Sequence, residues 1–342
     1  MDLLPSAEQD EIAAAVAAFL SREIPAPPRF DTGVAPVPLD RALWQRIAEL
    51  GWFGLGLAEE VGGVGYGTAE EVLMFRELGR VLAPGPFLAT CLGARVAALA
   101  GARELAASIL AGDTIVGWGR TIDASGIGGA LTGEIAVFDG VDATHLLLID
   151  DRLTALHRRD DACDVRTVNC IDATVSLERL HFSGATASAS VSTELDPIAS
   201  RSRILAAAFA TGMAEAARDH SAAYAAQRVQ FGRPIGVNQG VKHRCADMAV
   251  RAEAAFSLAC FAALVLDTDG HDAALQADAA YAVAIDATIR NSADNVQVHG
   301  GMGFTWEHGA HRFVGRSHVL DEMLGGSRTV LADLISRDGP EL

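Results

Sequence analysis

Two stretches of this 342-residue chain gather residue types that suit ligand binding. The first is Arg228-Val229-Gln230-Phe231-Gly232-Arg233-Pro234-Ile235, continuing to Gln239 and Ala246-Asp247-Met248. It sets a guanidinium, two amides and apolar side chains around a Phe-Gly turn. A guanidinium presents a fixed fork of donors that matches phosphate or carboxylate. The second is Gln297-Val298-His299-Gly300-Gly301-Met302-Gly303-Phe304-Thr305, continuing to Arg316. Paired glycines let backbone N–H groups approach a ligand closely. Taken singly, each stretch has a plainer explanation: an Arg as a helix C-terminal cation, a Gly-Gly pair as a helix stop. A third glycine-rich run, Glu59-Glu60-Val61-Gly62-Gly63-Val64-Gly65-Tyr66-Gly67, invites a phosphate cradle. It follows no clear strand and lacks the Lys-Ser/Thr of a P-loop, so a tight surface turn is the expectation.

Charge and cysteine usage narrow the classes. With 44 acidic against 27 basic residues the net charge is −17, which disfavours nucleic acid and anionic membranes. A local Arg or a helix N-terminus can still bind a small anion. The five cysteines, Cys91, Cys163, Cys170, Cys245 and Cys260, form no C-x-x-C pair. The start, Met1-Asp2-Leu3-Leu4-Pro5-Ser6, has no basic region followed by a hydrophobic one. Reduced thiols, no metal site and a cytoplasmic location are expected. The longest nearly apolar run, residues 254–266, is shorter than a membrane span and reads as a buried helix.

The elements that must position these motifs fall into three segments. Residues 1–112 read as helical. Ser6-x-x-Gln9 is a capping box before the stripe Ile12, Val16, Phe19, Leu20. After a Pro-rich break at 25–38, Asp40 can cap a helix carrying Leu43, Trp44, Ile47 and Leu50 and ending at Gly51. Thr68-x-x-Glu71 reads as another capping box, and residues 87–111 as a further helix. Residues 113–195 read as a small β domain, with strands expected at 144–149 and at the alternating 174–177. Residues 196–342 read as a helical bundle with long helices at 204–227, from Val241 through Ala263, and at 272–299. Helices, then a β domain, then helices does not suit a dinucleotide-binding fold built from alternating β and α units.

The two ligand-type motifs, together with Leu50-Gly51-Trp52-Phe53-Gly54-Leu55 and the glycine-rich run after it, resemble the acyl-CoA dehydrogenase family. The resemblance covers nearly the whole chain and is weakest in the middle. It implies a mainly α fold: an N-terminal helical domain, a middle β domain and a C-terminal four-helix bundle. It also implies FAD. In the family, the Arg-x-x-Phe-Gly motif of one subunit meets the cofactor of a neighbour. By that resemblance Arg228 pairs with the FAD pyrophosphate, Gln230 and Gln239 hydrogen-bond the cofactor, and Phe231 and Ile235 pack on it. Gly300 and Gly301 then admit the dinucleotide, with Gln297 beside them.

The family reaction takes the α-proton of an acyl-CoA thioester with a carboxylate while a hydride leaves the β-carbon for the flavin. The base is usually a Glu in a Glu-Gly-Thr element soon after the equivalent of Arg316. Here that element reads Gly325-Gly326-Ser327, so Gly325 stands at the base position and Ser327 keeps the hydroxyl. The other family position for the base, on the helix before the Arg motif, is Ser202. Asp321 lies about one helical turn before Gly325. No flavin-covering loop of the family type is found around Trp118-Gly119-Arg120-Thr121, and the β segment is short. A branch of the family in steroid-degrading bacteria pairs two homologous subunits in heterotetramers, one with the base and one short and degenerate. This chain resembles the degenerate partner. The expectation is a subunit that completes an FAD site for an acyl-CoA, with a sterol side-chain thioester the substrate class the resemblance implies, while its partner supplies the Glu. Two alternatives stay open: a self-sufficient homo-oligomer using Asp321, and a structural or regulatory subunit without flavin.

Overall fold

The structure is a computed structural model that describes residues 5–24, 39–268 and 270–336. Residues 1–4 and the Pro-rich break at 25–38 lie outside the described residues. Helix α1 (Ala7–Glu23) opens as its capping box requires: the Ser6 hydroxyl accepts from the Gln9 N–H at 3.2 Å, and the Gln9 side chain accepts from the Ser6 N–H at 2.9 Å. The described residues pack as two compact units. One comprises α1, Val72–Ala83 and residues from Arg203 on; the other comprises residues up to Glu71 after the break and Pro84–Ser202.

In the second unit, α2 (Arg41–Glu49) is capped by Asp40, whose carboxylate accepts from Ala42 and Leu43 N–H at 3.0 and 3.1 Å. Trp44 is buried against Phe53 and Phe87, with ring centroids 4.5 and 5.0 Å away. Gly51 turns left-handed at φ 77° and ends the helix, as expected. The glycine-rich run is a self-satisfied turn. The N–H groups of Gly62, Gly63, Val64, Gly65 and Tyr66 all donate to carbonyls between Gly54 and Glu59. No donor of these five is left to cradle a phosphate. Helix α3 (Thr68–Arg80) starts one residue out of the expected register. It is Glu70 that reaches back, accepting from the Gly67 N–H at 2.9 Å, while the Glu71 carboxylate pairs with Arg201 at 2.5 Å. The single helix expected over 87–111 is two, α4 (Phe87–Leu99) and α5 (Arg103–Leu110). Gly101 at φ 74° reverses the chain between them.

Seven strands follow: β1 (Val116–Thr121), β2 (Ala130–Phe138), β3 (His145–Ile149), β4 (Leu153–Arg158), β5 (Ala162–Val168), β6 (Leu177–Thr186) and β7 (Ala189–Ser192). They form one sheet in the order β5-β6-β2-β1-β3-β4-β7, antiparallel except for β1 beside β3. The strand expected at 174–177 begins only at Leu177. Ahead of it Asp172 Oδ1 accepts from the Thr174 N–H and hydroxyl at 2.9 and 2.7 Å, an Asx turn that outcompetes extension.

In the first unit, α6 (Ile198–Gln227) begins six residues earlier than the periodicity suggested, directly after Pro197, whose carbonyl accepts from Arg201 N–H. Its part from Arg203 packs with α7 (Gln239–Asp267), α8 (Ala273–His299), α9 (Ala310–Met323) and α10 (Ser327–Ser336). The Asn291 amide of α8 donates to Ala214 O of α6 and Met248 O of α7, at 3.0 and 2.9 Å. One buried side chain thus ties three helices together. Among the described residues only α7 is long and apolar enough, by length and composition, to cross a membrane. Its face of Met248, Ala252, Ala255, Ala259 and Ala263 is buried, and its Arg244 and Arg251 pair with Asp294 of α8. That is how a bundle helix is held. The acyl-CoA dehydrogenase fold expected from the resemblance, with helical ends and a middle sheet, is the fold observed.

Candidate functional site

Helix α6 runs out at Gln227 into a tight hairpin of β8 (Val229–Gln230) and β9 (Arg233–Pro234). Its two-residue turn is Phe231-Gly232, with φ 53° and 77°. Positive φ at both positions is what a twist-compatible hairpin turn needs, and a non-glycine at the first is uncommon. The turn pushes the Phe231 ring fully into solvent, 100% exposed. Arg228, Gln230 and Gln239 are exposed around it and Ile235 is half-buried. The base of the hairpin is fixed: Arg228 N–H donates to Tyr224 O and Ile235 N–H to Arg228 O, both at 2.8 Å. A rigid turn therefore offers a guanidinium, an amide and an aromatic ring that the chain's own core does not use.

The glycine pair sits at the C-terminal end of α8. Gly300 has φ 63° and ψ −143°, a conformation that excludes a side chain. Gly301 differs. Its φ is not left-handed, and a Cβ there would meet nothing within 4 Å. Neither backbone nor packing demands a glycine at 301. Gly303 is a packing glycine, since a Cβ would lie 2.8 Å from Val296 O. Gln297 is exposed on the last turn of α8, and its carbonyl accepts the Gly300 N–H.

These two motifs meet through a contact the sequence reading passed over. The Tyr224 ring lies 4.2 Å from the ring of His299, the residue before Gly300. The hairpin and the glycine pair thus leave from adjoining helix ends. His299 in turn lies 4.3 Å from His308. The only signal in the sequence was a histidine inside the glycine motif itself.

Ser327 belongs elsewhere. Asp321 on α9 accepts from the Ser327 N–H at 2.5 Å, and its own carbonyl accepts from the Gly326 N–H and the Tyr281 hydroxyl, each at 3.0 Å. Tyr281 lies 16 residues before Gln297 on α8 (297 − 281), roughly 24 Å along the helix at 1.5 Å per residue. The Gly325-Gly326-Ser327 turn is therefore remote from Arg228 and Gly301 within one chain.

Gly325, Ser202 and Asp321 are each accounted for by local structure. Gly325 is left-handed at φ 90° and exposed, so the backbone itself favours the absence of a side chain. The Ser202 hydroxyl is buried and donates to Ala199 O at 2.7 Å. The Asp321 carboxylate caps α10, as above, and stands 3.4 Å from the Tyr281 hydroxyl. Arg316 is buried, donating to Ala83 O at 3.3 Å, and is structural here. Residues 122–129 connect β1 to β2, and buried His157 of β4 hydrogen-bonds Ile127 O of that connection at 2.7 Å.

Comparison with known proteins bears on this arrangement. Residues 6–112 match the family model for the acyl-CoA dehydrogenase N-terminal domain, and residues 198–339 that for the acyl-CoA dehydrogenase C-terminal domain. The chain is 33% identical to acyl-CoA dehydrogenase IpdE2 of Mycobacterium tuberculosis over 87% of its own length and 86% of that protein. It is 35% identical over 84% of its length to acyl-CoA dehydrogenase FadE34 of the same organism, but spans only 40% of that longer protein. Among solved structures, the ChsE4–ChsE5 complex from Mycobacterium tuberculosis superposes with a TM-score of 0.83 and 25% identity, covering 99% of this chain and 100% of the other. Butyryl-CoA dehydrogenase from Megasphaera elsdenii, at 21% identity and a TM-score of 0.81 over 97% and 98% of the two chains, shares the fold. Two family domains in order, and a full-length relative one-third identical, establish that the chain belongs to the acyl-CoA dehydrogenase family of oxidoreductases.

Proposed function

We propose that this chain is the base-lacking subunit of an FAD-dependent acyl-CoA dehydrogenase. It completes a flavin site, and a homologous partner supplies the catalytic Glu. The observation that carries this reading is Gly325: at the usual base position the backbone is left-handed and no carboxylate is present. Proton abstraction needs a base within hydrogen-bond reach of the substrate proton. Asp321, about one helical turn before Gly325, is engaged in capping α10.

The residues present fit the cofactor. Arg228 suits a pyrophosphate, Gln230 (its amide donating to Val229 O at 3.0 Å, its oxygen exposed) and Gln239 stand at the surface to hydrogen-bond polar edges, and Phe231 and Ile235 offer apolar contact. Gly300 and Gly301 leave the space a dinucleotide backbone contact requires. When bound, the flavin accepts the hydride; this chain's residues bind and orient it. The roughly 24 Å along α8 from Tyr281, which with Ser327 is bonded to Asp321, to Gln297 supports a site assembled from more than one chain. The similarity to the ChsE4–ChsE5 complex supports a heteromeric assembly, a heterotetramer by the resemblance noted above. The names of the relatives support an acyl-CoA as substrate, and the same resemblance narrows it to the sterol side-chain class. Free cysteines throughout agree with a cytoplasmic setting.

The test is expression of the chain alone and together with a Glu-bearing homologous subunit. We expect dehydrogenation and stoichiometric flavin only in the mixture. Activity from the single chain would favour the Asp321 alternative. An active mixture whose flavin sites contain no residue of this chain would favour a structural role.

Two substitutions in the assembled complex probe the site. Arg228→Ala should weaken FAD retention by on the order of 1–3 kcal/mol, the worth of a charge-assisted contact. Unchanged flavin content after dialysis would remove Arg228 from the site. Gly301→Ala should leave the melting temperature of the flavin-free protein unmoved, because its Cβ falls in open space, yet lower the flavin content of the complex. A drop in both would make Gly301 a folding residue instead.

A further inference from the structure

The connector between α8 and α9, residues 300–309, carries Gly300 and Gly301 and the exposed side chains of Met302, Phe304 and Trp306. Rings at its two ends hold it. At its start, buried His299 packs between Tyr224 and His308, with ring centroids 4.2 and 4.3 Å away. At its end, His308 Nδ1 accepts the N–H of Ala310, the first residue of α9, at 3.2 Å. A ring nitrogen accepts only when it is unprotonated, so His308 makes this contact only as the neutral Nε2–H form. His299 Nδ1 lies 2.8 Å from Asn295 O and carries its own proton there.

We infer that His308, stacked on His299, is a positioning residue for Gly300 and Gly301, and that it holds the connector only while both rings are neutral. This rests on the reading of Gly300 and Gly301 as cofactor contacts. Protonating His308 removes the acceptor, sets a cation at the positive end of α9 and places it 4.3 Å from a second imidazole. The surrounding groups do not neutralise that charge. His299 faces it from α8, His220 from α6 and His311 from α9, while Arg312 and Arg80 add positive charge beside His311 and His220. Of the acids at the cluster, Asp219 is paired with Arg80 and Arg218, and Glu307 is exposed. The cluster is not arranged to hold a metal ion.

Burial pushes the imidazoles of His220, His299, His308 and His311 below their ordinary value. A histidine whose folded pKa is lowered lends its stability fully above the unfolded value of about 6.5, and loses it as pH falls through that value toward the folded one. The connector should therefore loosen on the acid side and not on the alkaline side.

The experiment is amide hydrogen exchange of the assembled complex between pH 7.5 and 5.0, corrected for intrinsic rates, with residues 62–67 as internal reference. Protection of residues 300–310 should fall about tenfold or more across that range while the reference stays constant. His308→Asn keeps an acceptor for the Ala310 N–H but does not titrate in this range; its protection should be flat. A flat profile in the unsubstituted protein overturns the inference, whether or not the variant folds. So does a variant that loses protection as the unsubstituted protein does. Flavin content over the same range separates the two readings. Loosening without flavin loss sustains the histidine clamp but removes Gly300 and Gly301 from the cofactor site.

Discussion

Glu215→Ala is expected to lower the stability of the helical bundle by about 3–5 kcal/mol, the usual result of removing one partner of a buried ion pair. The Glu215 side chain is 4% exposed and joins two arginines of α3. Arg76 grips it with two donors, each at 2.8 Å, and Arg80 donates a third at 2.9 Å while also holding Asp219. Arg76 lies over the Phe256 ring, 4.3 Å from its centroid, so its guanidinium is held on more than one side. Removing the carboxylate strips Arg76 of its two short bonds and leaves the arginines with the longer contacts to Glu77, at 3.9 and 3.7 Å, and the Arg80–Asp219 pair. Denaturant titration with a conserved m-value measures the loss. A shift below about 1 kcal/mol would mean that the pair behaves like an exposed one and that the bundle does not depend on it.

Gly212→Ala should cost roughly 3 kcal/mol, although alanine is the better helix former by about 1 kcal/mol. A Cβ at 212 would stand 1.8 Å from Arg76 O, and one at Gly79 would stand 1.9 Å from Phe209 O. The two glycines face each other's backbone across the crossing of α3 and α6, where no flexible side chain can yield. One alanine must push the helices apart, which also relieves the other position. The double variant Gly79→Ala/Gly212→Ala should therefore cost less than the sum of the singles. Gly240→Ala on α7 is the control: nothing lies within 4 Å of its Cβ, so it should be neutral or slightly stabilising. Additive losses at 79 and 212 would disprove a shared contact. Because the Arg76–Glu215 pair bridges the same helices, its geometry should degrade with them.

What was legible beforehand had a local cause. Ser6 and Gln9, Asp40 and Gly51 mark helix ends through hydrogen bonds and dihedrals that involve only a few neighbouring residues. The small-residue face of α7 is a periodic pattern in the sequence. The identities at the site, Arg228, Gly301 and the missing carboxylate at Gly325, are likewise read directly from residue types. Local rules failed where two of them competed. Glu70 displaced Glu71 in the cap because Glu71 has a long-range partner in Arg201, and Asp172 turned the chain where alternation suggested a strand.

The sequence by itself determined the family motifs, the order of helices, sheet and helices, and the Gly325-Gly326-Ser327 run. Tertiary structure decided the rest. The strand order β5-β6-β2-β1-β3-β4-β7 pairs segments distant in sequence. The crossing at Gly79 and Gly212 gives two ordinary helix glycines a steric role. The contact of Tyr224 with His299 brings the ends of α6 and α8 together, and Tyr281, far along α8, bonds the Asp321 that also holds Ser327. Periodicity and caps are set by interactions a few residues apart, whereas these depend on which helix faces meet, and only the folded core specifies that.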